Sequence, residues 1–290
     1  MIVIDNIFVI LDPTTDKQPA LDRAVRIAKI THANIHAYLC VYSGLETDSP
    51  DELRRVEISR YELWLEKVLE RVQEHGIDIS SQIDWNRDWR NALCQAARKA
   101  NSDLIVKSSH GRSATKRIMR TSSDLALFRS ATCPILFVTS EVSNDTQKVL
   151  MTIDAYRQDK AYKRIFDTVI AYGKAAAASY DNGDLHVVYA YSDSKDYVHI
   201  TDLSKRTGVE TSRVHVIGGE PEREIVEVAK EIDAEMIVMG VSTKSTLRNR
   251  VFGYTTAYCL NNTDSDILVV ITEDKQTRKS NEYMAEVLPL

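Results

Sequence analysis

Residues 236–256 read Met-Ile-Val-Met-Gly-Val-Ser-Thr-Lys-Ser-Thr-Leu-Arg-Asn-Arg-Val-Phe-Gly-Tyr-Thr-Thr. The stretch begins with an apolar run typical of a buried strand and ends at the start of a helix pattern. A glycine stands at each junction, Gly240 after the strand and Gly253 before the helix. This order of strand, loop and helix is typical of an α/β fold, in which ligands bind beyond the carboxyl ends of the strands.

The same pattern occurs earlier in the chain, at one constant offset. The segment from Gly76 to Val138 aligns without gaps to the segment from Gly208 to Val270. Leu104-Ile105-Val106, for example, falls on Met236-Ile237-Val238. A constant register over so long a segment indicates an internal repeat, and therefore two copies of one fold.

The start of each copy is marked by a short apolar run that ends in aspartate and precedes a helix pattern. The two aspartates are Asp12 and Asp154. A short polar segment separates the copies, as expected of a linker. The repeat therefore predicts two domains, residues 1–143 and 148–273, followed by a C-terminal tail of residues 274–290.

Each copy alternates strand and helix patterns, which specifies a mainly parallel sheet covered by helices. We therefore predict the α/β class, with two tandem doubly wound, mainly parallel five-stranded sheets that carry helices on both faces. The first copy has a long helix pattern from Pro50 to His75. The matching region of the second copy, Asp193 to Thr207, is much shorter, which predicts an opened crevice beside the second sheet.

The composition is that of an ordinary globular protein, with 43% hydrophobic and 27% charged residues. The formal net charge of -5 disfavours nucleic acid and anionic membranes as partners. No stretch is typical of a secretion signal or a membrane span, so we expect a cytoplasmic protein without membrane insertion. The four cysteines and seven histidines are scattered without metal-ligand spacing, so neither a metal site nor a disulfide framework is expected.

The loop and helix start after the fourth strand of the second copy favour an anionic ligand. Gly240 permits close approach of a ligand to the backbone, and Gly253 leaves N–H groups at the next helix free to hold a phosphate. Thr255 and Thr256 add hydroxyl groups at the same helix start. The loop between the glycines carries the basic residues Lys244, Arg248 and Arg250. Together these features predict a site for a phosphate-bearing ligand.

This arrangement resembles the universal stress protein family, whose ATP-binding members carry Gly-x-x-Gly, then nine residues, then Gly-Ser or Gly-Thr after strand four. The opening segment, with Ile10-Leu11-Asp12-Pro13 and Gln18-Pro19-Ala20-Leu21, resembles the E-type tandem subfamily in particular. The resemblance implies a Rossmann-type, adenine nucleotide alpha hydrolase-like fold and an aspartate near the adenine base, at Asp12 or Asp154. It also implies an intramolecular pseudo-dimer in which the fifth strands of the two copies pair.

The family pattern transfers to the second copy better than to the first. In the second copy Thr243 replaces the second glycine and Tyr254 replaces the hydroxyl residue, whereas the first copy lacks the first and third glycines. The resemblance implies a nucleotide site in the second copy made by Asp154, Met239, Gly240, Thr243, Gly253, Tyr254 and Thr255. It implies a weaker ligand site in the first copy made by Asp12, Lys107, Ser108, Gly111, Thr121 and Ser122.

Together with these residues, the resemblance implies a non-catalytic stress-response protein that binds ATP, AMP or another phosphate-bearing small ligand in the second copy. We expect no required cofactor and at most very weak nucleotide hydrolysis, because no catalytic triad, paired carboxylates or metal ligands stand at a telling spacing. The alternative is an interaction module, with a protein partner or an apolar, lipid-like ligand and two relic nucleotide sites.

Several of these residues also have plainer interpretations, which the sequence leaves open. Asp12 and Asp154 are placed where an aspartate caps the following helix. Gly240 and Gly253 are of a residue type that turn geometry alone can require. Lys107 follows three apolar strand positions, so its ammonium group must reach solvent, a carboxylate or a ligand.

Overall fold

The computed structural model describes residues 2–42, 49–109, 127, 131–139, 147–157, 159–242 and 254–272. The chain divides into two compact units. Unit 1 comprises Met1–Asp145 with Asp264–Ile267, and unit 2 comprises Thr146–Thr263 with Leu268–Leu290.

Unit 1 is built on five strands that lie side by side in the order β3-β2-β1-β4-β5. All neighbouring pairs among them are parallel. The strands are β1 (Asn6–Ile10), β2 (Asn34–Val41), β3 (Ile79–Trp85), β4 (Leu104–Ser108) and β5 (Ile135–Val138). The described helices are α1 (Pro19–Thr31), α2 (Pro50–Gln73) and α3 (Trp89–Lys99). The long helix predicted from Pro50 is therefore confirmed as α2.

Unit 2 repeats this order, with its strands arranged β10-β9-β6-β7-β8. The strands are β6 (Lys148–Thr152), β7 (Asp184–Tyr191), β8 (Val214–Gly218), β9 (Met236–Ser242) and β10 (Asp266–Thr272). The described helices are α4 (Lys160–Ala178), α5 (Ile200–Thr207), α6 (Pro221–Glu231) and α7 (Tyr254–Asn262). Between β7 and β8 the chain forms two short 3-10 turns, Ser194–Asp196 and Thr211–Arg213, and the short helix α5, as the reduced length of this region predicted.

The central strands are continuous apolar runs because helices cover both faces of a parallel sheet. In β6 the side chains of Val149, Leu150 and Met151 are each 0% exposed, and β5 is buried along its whole length. Complete burial of one such side chain stabilises the fold by about 1.5–3 kcal/mol. The predicted α/β class, with doubly wound and parallel sheets, is confirmed.

Two glycines let helix α4 rest close to the sheet of unit 2. A β-carbon on Gly173, within α4, would lie 2.2 Å from Sδ of Met151 in β6. A β-carbon on Gly240, in β9, would lie 2.2 Å from Cγ2 of Ile165 in α4. Neither position has room for a side chain without a shift of its neighbour. The two glycines therefore set the depth at which α4 packs on the sheet.

The cysteines behave as core residues. All four are free, and Cys94, Cys133 and Cys259 are buried. Burial raises the pKa of the Cys133 and Cys259 thiols to about 12, so both remain protonated at neutral pH.

In the described ranges, no helix combines the length and the apolar character needed to cross a bilayer. Within the same ranges, no group of three or more His, Cys, Asp or Glu side chains is arranged to hold a metal ion.

Candidate functional site

A cavity of about 560 Å³ opens in unit 2 where three neighbouring strands end. Its walls include Thr152 at the end of β6, Tyr191 at the end of β7 and Gly240 near the end of β9. Small-molecule sites are commonly clefts of about 300–1,000 Å³. Ligands of open α/β sheets bind at this end of the strands. We therefore take this cavity as the candidate site of unit 2.

Four of the residues predicted from the sequence line this cavity, namely Asp154, Met239, Gly240 and Thr255. Tyr254 does not line it: as the first residue of α7, it is 70% exposed and its ring lies 6.2 Å from that of Tyr258. The predicted residues Thr243 and Gly253, and the basic loop between the glycines, lie outside the described residues.

Asp154 follows β6, and its carboxylate contacts Arg157. Oδ2 of Asp154 lies 3.5 Å from Nε of Arg157, and Oδ1 accepts a hydrogen bond from the Arg157 backbone N–H at 3.4 Å. Arg157 also donates to the hydroxyl oxygen of Tyr162. The Asp154 side chain is 41% exposed, so a ligand in the cavity can still reach the carboxylate.

Neither aspartate after a first strand caps the next helix, so that interpretation of Asp12 and Asp154 is wrong. Helix α1 begins after Gln18, and Oδ1 of Asp12 instead accepts hydrogen bonds from the N–H and hydroxyl groups of Thr14 at 2.8 and 2.6 Å. Helix α4 begins after Asp159, whose Oδ1 accepts a first-turn N–H at 3.3 Å. The role of Asp154 must therefore be sought in its contacts at the cavity.

Gly240 is explained by packing and not by turn geometry. It lies within β9, and among the described glycines only Gly76 and Gly208 have positive φ. The Ile165 side chain fills the space that a β-carbon on residue 240 would need. The turn interpretation is therefore wrong. The same backbone also lines the cavity, so helix packing and ligand approach both depend on the missing side chain.

Aromatic rings form much of the cavity wall: Tyr156, Tyr162, Phe166, Tyr189 and Tyr191. Guanidinium groups cover two of these rings, with Cζ of Arg157 4.4 Å from the centre of Tyr162 and Cζ of Arg206 4.7 Å from the centre of Phe166. Such cation–π contacts restrain the rings. In the sequence, the pair Tyr189 and Tyr191 could have indicated this aromatic wall, because alternate residues of a strand point to the same face.

A short turn after β7 brings two more carboxylates to the cavity, Asp193 and Asp196. Asp193 is already engaged, since its Oδ2 lies 2.8 Å from Nζ of Lys195 and its Oδ1 accepts the Lys195 N–H at 3.1 Å. The backbone carbonyl of Asp196 accepts a hydrogen bond from the Tyr189 hydroxyl at 2.6 Å. The tyrosine thereby ties the turn to β7.

Helix α7 directs its amino-terminal end toward the cavity. Thr255 and Thr256, in its first turn, both belong to the lining. The first N–H groups of a helix have no partner inside the helix, and the helix dipole makes this end partly positive. The described part of α7 therefore offers two hydroxyl groups and an electropositive end to a ligand.

A model of the universal stress protein family matches residues 4–139 and again residues 147–270. The chain belongs to the universal stress protein family. The two matches confirm the tandem arrangement of two such domains, and the observed α/β topology agrees with this assignment.

This universal stress protein is similar to E-type relatives over almost its whole length. It is 24% identical over 296 residues to the universal stress protein E homolog of Haemophilus influenzae, a match that covers 91% of this chain and 96% of the relative. It is 22% identical over 306 residues to universal stress protein E of Escherichia coli K12, covering 96% and 97% of the two chains. The predicted resemblance to E-type tandem members is confirmed.

Solved structures support the fold of this universal stress protein. A functionally unknown protein from Pseudomonas aeruginosa PAO1 superposes with a TM-score of 0.77 and 21% identity, covering 98% of this chain and 97% of that one. A universal stress protein from Archaeoglobus fulgidus gives a TM-score of 0.72 and 19% identity, covering 92% and 98%. At these identities the structural likeness establishes the fold alone.

In unit 1 of this universal stress protein, side chains of the unit itself hydrogen-bond the backbone after β1 and at the start of α1. The buried amide of Gln18 donates to the Asp12 carbonyl at 2.8 Å and accepts the Asp12 N–H at 3.0 Å. Oγ of Ser108 accepts the N–H of Ala20 at 3.2 Å, at the start of α1. Ser108 therefore has a structural partner where the sequence predicted a ligand contact.

The other residues predicted for a ligand site in unit 1 are Lys107, Gly111, Thr121 and Ser122. Lys107 is half-buried on β4, in register with Ile10 on one side and Phe137 on the other. Gly111, Thr121 and Ser122 lie outside the described residues. A ligand site in unit 1 stays a prediction.

Proposed function

We propose that unit 2 binds an adenine nucleotide, ATP or AMP, in the cavity at the carboxyl ends of β6, β7 and β9. The observation that carries the proposal is the convergence of Asp154, Met239, Gly240 and Thr255 on one cavity of nucleotide-compatible volume. These residues come from three separate segments of the chain, and the sequence predicts them independently of the cavity.

Each part of a nucleotide has a chemical match in this lining. Tyrosine and phenylalanine rings stack favourably on a planar base. Carboxylate oxygens of Asp154 accept hydrogen bonds from ribose hydroxyl or adenine amino groups. The first turn of α7, with Thr255 and Thr256, suits a phosphate, because its N–H groups and dipole attract anions.

We further propose that the chain binds nucleotide without chemistry, requires no cofactor and hydrolyses ATP at most very weakly. The carboxylates of Asp154 and Asp193 are held by Arg157 and Lys195, respectively, which disfavours a role as general base. A cytoplasmic stress-response role, in which nucleotide occupancy changes a protein partner's affinity, fits such a binding site.

Calorimetric titration of the full chain with ATP and AMP tests the binding proposal. The test variant is Thr255→Glu, which adds a carboxylate at the proposed phosphate position while an acidic residue in the first helical turn preserves α7. The matched control is Thr201→Glu, an exposed residue in the first turn of α5 that does not line the cavity. We expect Thr255→Glu to weaken ATP binding at least tenfold and AMP binding less, because ATP carries more negative charge.

Three results would contradict the proposal or part of it. Absence of wild-type binding at millimolar nucleotide would reject it and leave the apolar-ligand alternative. Equal loss of affinity in Thr255→Glu and Thr201→Glu would show that the effect of the charge is not local to the cavity. Phosphate release from ATP at a rate above that of a buffer control would reject the non-catalytic part.

A further inference from the structure

One carboxylate oxygen at the cavity is buried without a hydrogen-bond partner among the described residues. It is Oδ1 of Asp196, the last residue of the 3-10 turn Ser194–Asp196. Asp196 is only partly exposed and belongs to the cavity lining. A buried acceptor that makes no hydrogen bond destabilises the fold, and more so when it is charged, so such an atom calls for an explanation.

The backbone holds this carboxylate in place from two sides. The Asp196 N–H donates to the carbonyl oxygen of Asp193 at 2.9 Å, and the Asp196 carbonyl accepts from the Tyr189 hydroxyl at 2.6 Å. Tyr189 is 3% exposed. Burial, followed by the nearby Asp154, raises the pKa of Tyr189 to about 12, so the phenol remains a donor at neutral pH. The turn is therefore preorganised before a ligand arrives.

The other two aspartates of the lining differ from Asp196 in this respect. Asp154 contacts Arg157, and Asp193 contacts Lys195. Asp196 is thus the carboxylate of this lining that has a buried oxygen without a hydrogen-bond partner in the described part of the chain. An oxygen of this kind accepts hydrogen bonds only, so the matching ligand atom must be a donor.

We propose that Asp196 is a specificity-determining residue that accepts a hydrogen bond from the nucleoside half of the bound nucleotide. The donor is an adenine 6-amino group or a ribose hydroxyl group, which share the required chemistry. The inference rests on the proposed function, since it assigns a role within the same cavity. A site with a buried acceptor rejects analogues that lack the donor, because the acceptor is then left unpaired.

Calorimetry with four probes separates the two donors. The probes are AMP, purine riboside 5′-monophosphate without the amino group, and the 2′-deoxy and 3′-deoxy forms of AMP. We expect the wild-type chain to bind one of the three analogues roughly tenfold to a hundredfold more weakly than AMP. In Asp196→Ala that analogue and AMP should bind with equal affinity, and Asp196→Asn should show an intermediate ratio. Asp202→Asn, an exposed residue of α5 outside the cavity, should leave the wild-type ratio unchanged.

The results distinguish this inference from the proposed function. If wild-type chain binds AMP but binds all three analogues equally well, the inference is wrong and nucleotide binding stands. Discrimination that persists in Asp196→Ala overturns it as well. If AMP does not bind at all, both proposals fail. Thermal unfolding of each variant identifies any loss of folding. If Asp196→Ala does not fold, the test still rests on Asp196→Asn and on the wild-type affinities for the three analogues.

Discussion

The Cγ2 atom of Ile165 lies 2.2 Å from the point where a β-carbon on Gly240 would stand. Helix α4 therefore contacts strand β9 at a place where residue 240 has no side chain. Because Ile165 and Gly240 also line the cavity, the packing of α4 and the shape of the site are set by one contact. A change in this contact should therefore affect both the packing of α4 and the shape of the cavity.

We expect Gly240→Ala to destabilise unit 2 by about 1–3 kcal/mol, since the added methyl group forces α4 away from the sheet. Gly218→Ala is the control, because a β-carbon there would meet Tyr191 at an ordinary 3.4 Å. Urea unfolding of both variants measures the difference in free energy. Equal stabilities of the two variants would show that α4 tolerates the displacement.

A second prediction concerns the histidine pair of unit 2. Nδ1 of His186 lies 3.2 Å from Nε2 of His215, and Nε2 of His186 lies 3.2 Å from Oδ2 of Asp184, which also pairs with Arg213. Burial, followed by the charge of His186, lowers the pKa of His215, while Glu231 opposes the shift. The neutral form of His215 is therefore favoured in the folded chain.

The sign of the pH effect follows from this lowered pKa. Below the unfolded pKa of about 6.5, the unfolded chain binds more protons at His215 than the folded chain does. The stability that neutral His215 contributes is therefore complete above about pH 6.5 and is lost as the pH falls through the pKa of His215 in the folded chain. We expect the free energy of unfolding to depend less on pH between about pH 5 and 7 in His215→Gln than in wild type. His75→Gln, an exposed site at the end of α2, should retain the wild-type slope. A wild-type slope in His215→Gln would contradict the assignment.

The fold could be predicted because its determinants are local and repeated. Continuous apolar runs such as Val149–Met151 predicted buried parallel strands, and the constant offset from Gly76 and Gly208 onward supported the last three strands of each copy twice. The short region between β7 and β8 was also predictable from its length alone. What could not be predicted was the close packing of α4, because the clash between positions 165 and 240 depends on a distance that no sequence pattern encodes.

The site was predictable where its residues stand at a strand end or, like Thr255, at the start of a helix. Asp154 and Gly240 stand at strand ends, where the α/β fold places ligand contacts. The aromatic wall includes rings from strand β7 and from helix α4, and Asp196 comes from a turn, so their meeting at the cavity depends on tertiary packing. Tyr254 was predicted at the site but does not line the cavity, for a related reason. The family pattern identifies its position in the chain but not the direction of its side chain, which is 70% exposed.

Ser108 gives a third prediction, in unit 1. Its hydroxyl oxygen accepts the Ala20 N–H at 3.2 Å, and Gln18, the N-cap residue of α1, makes no side-chain capping bond. Loss of such a cap costs about 0.5–2 kcal/mol. We expect Ser108→Ala to lower the free energy of unfolding by this amount, measured in urea, whereas the exposed Ser81→Ala in β3 should change it little. Unchanged stability in Ser108→Ala would leave a ligand role as the reason for the hydroxyl group.

The last prediction separates stability from ligand affinity at Tyr189. Tyr189→Phe removes the hydrogen bond to the Asp196 carbonyl, which should cost about 1 kcal/mol in stability and weaken AMP binding several-fold, because the turn carrying Asp196 is no longer fixed. Tyr180→Phe is a matched control, since it removes a buried hydrogen bond of 3.1 Å to Glu235 away from the cavity. Both variants should lose similar stability in urea unfolding, but only Tyr189→Phe should lose AMP affinity in calorimetry. Equal affinities in the two variants would mean that the hydroxyl of Tyr189 stabilises the fold without positioning Asp196.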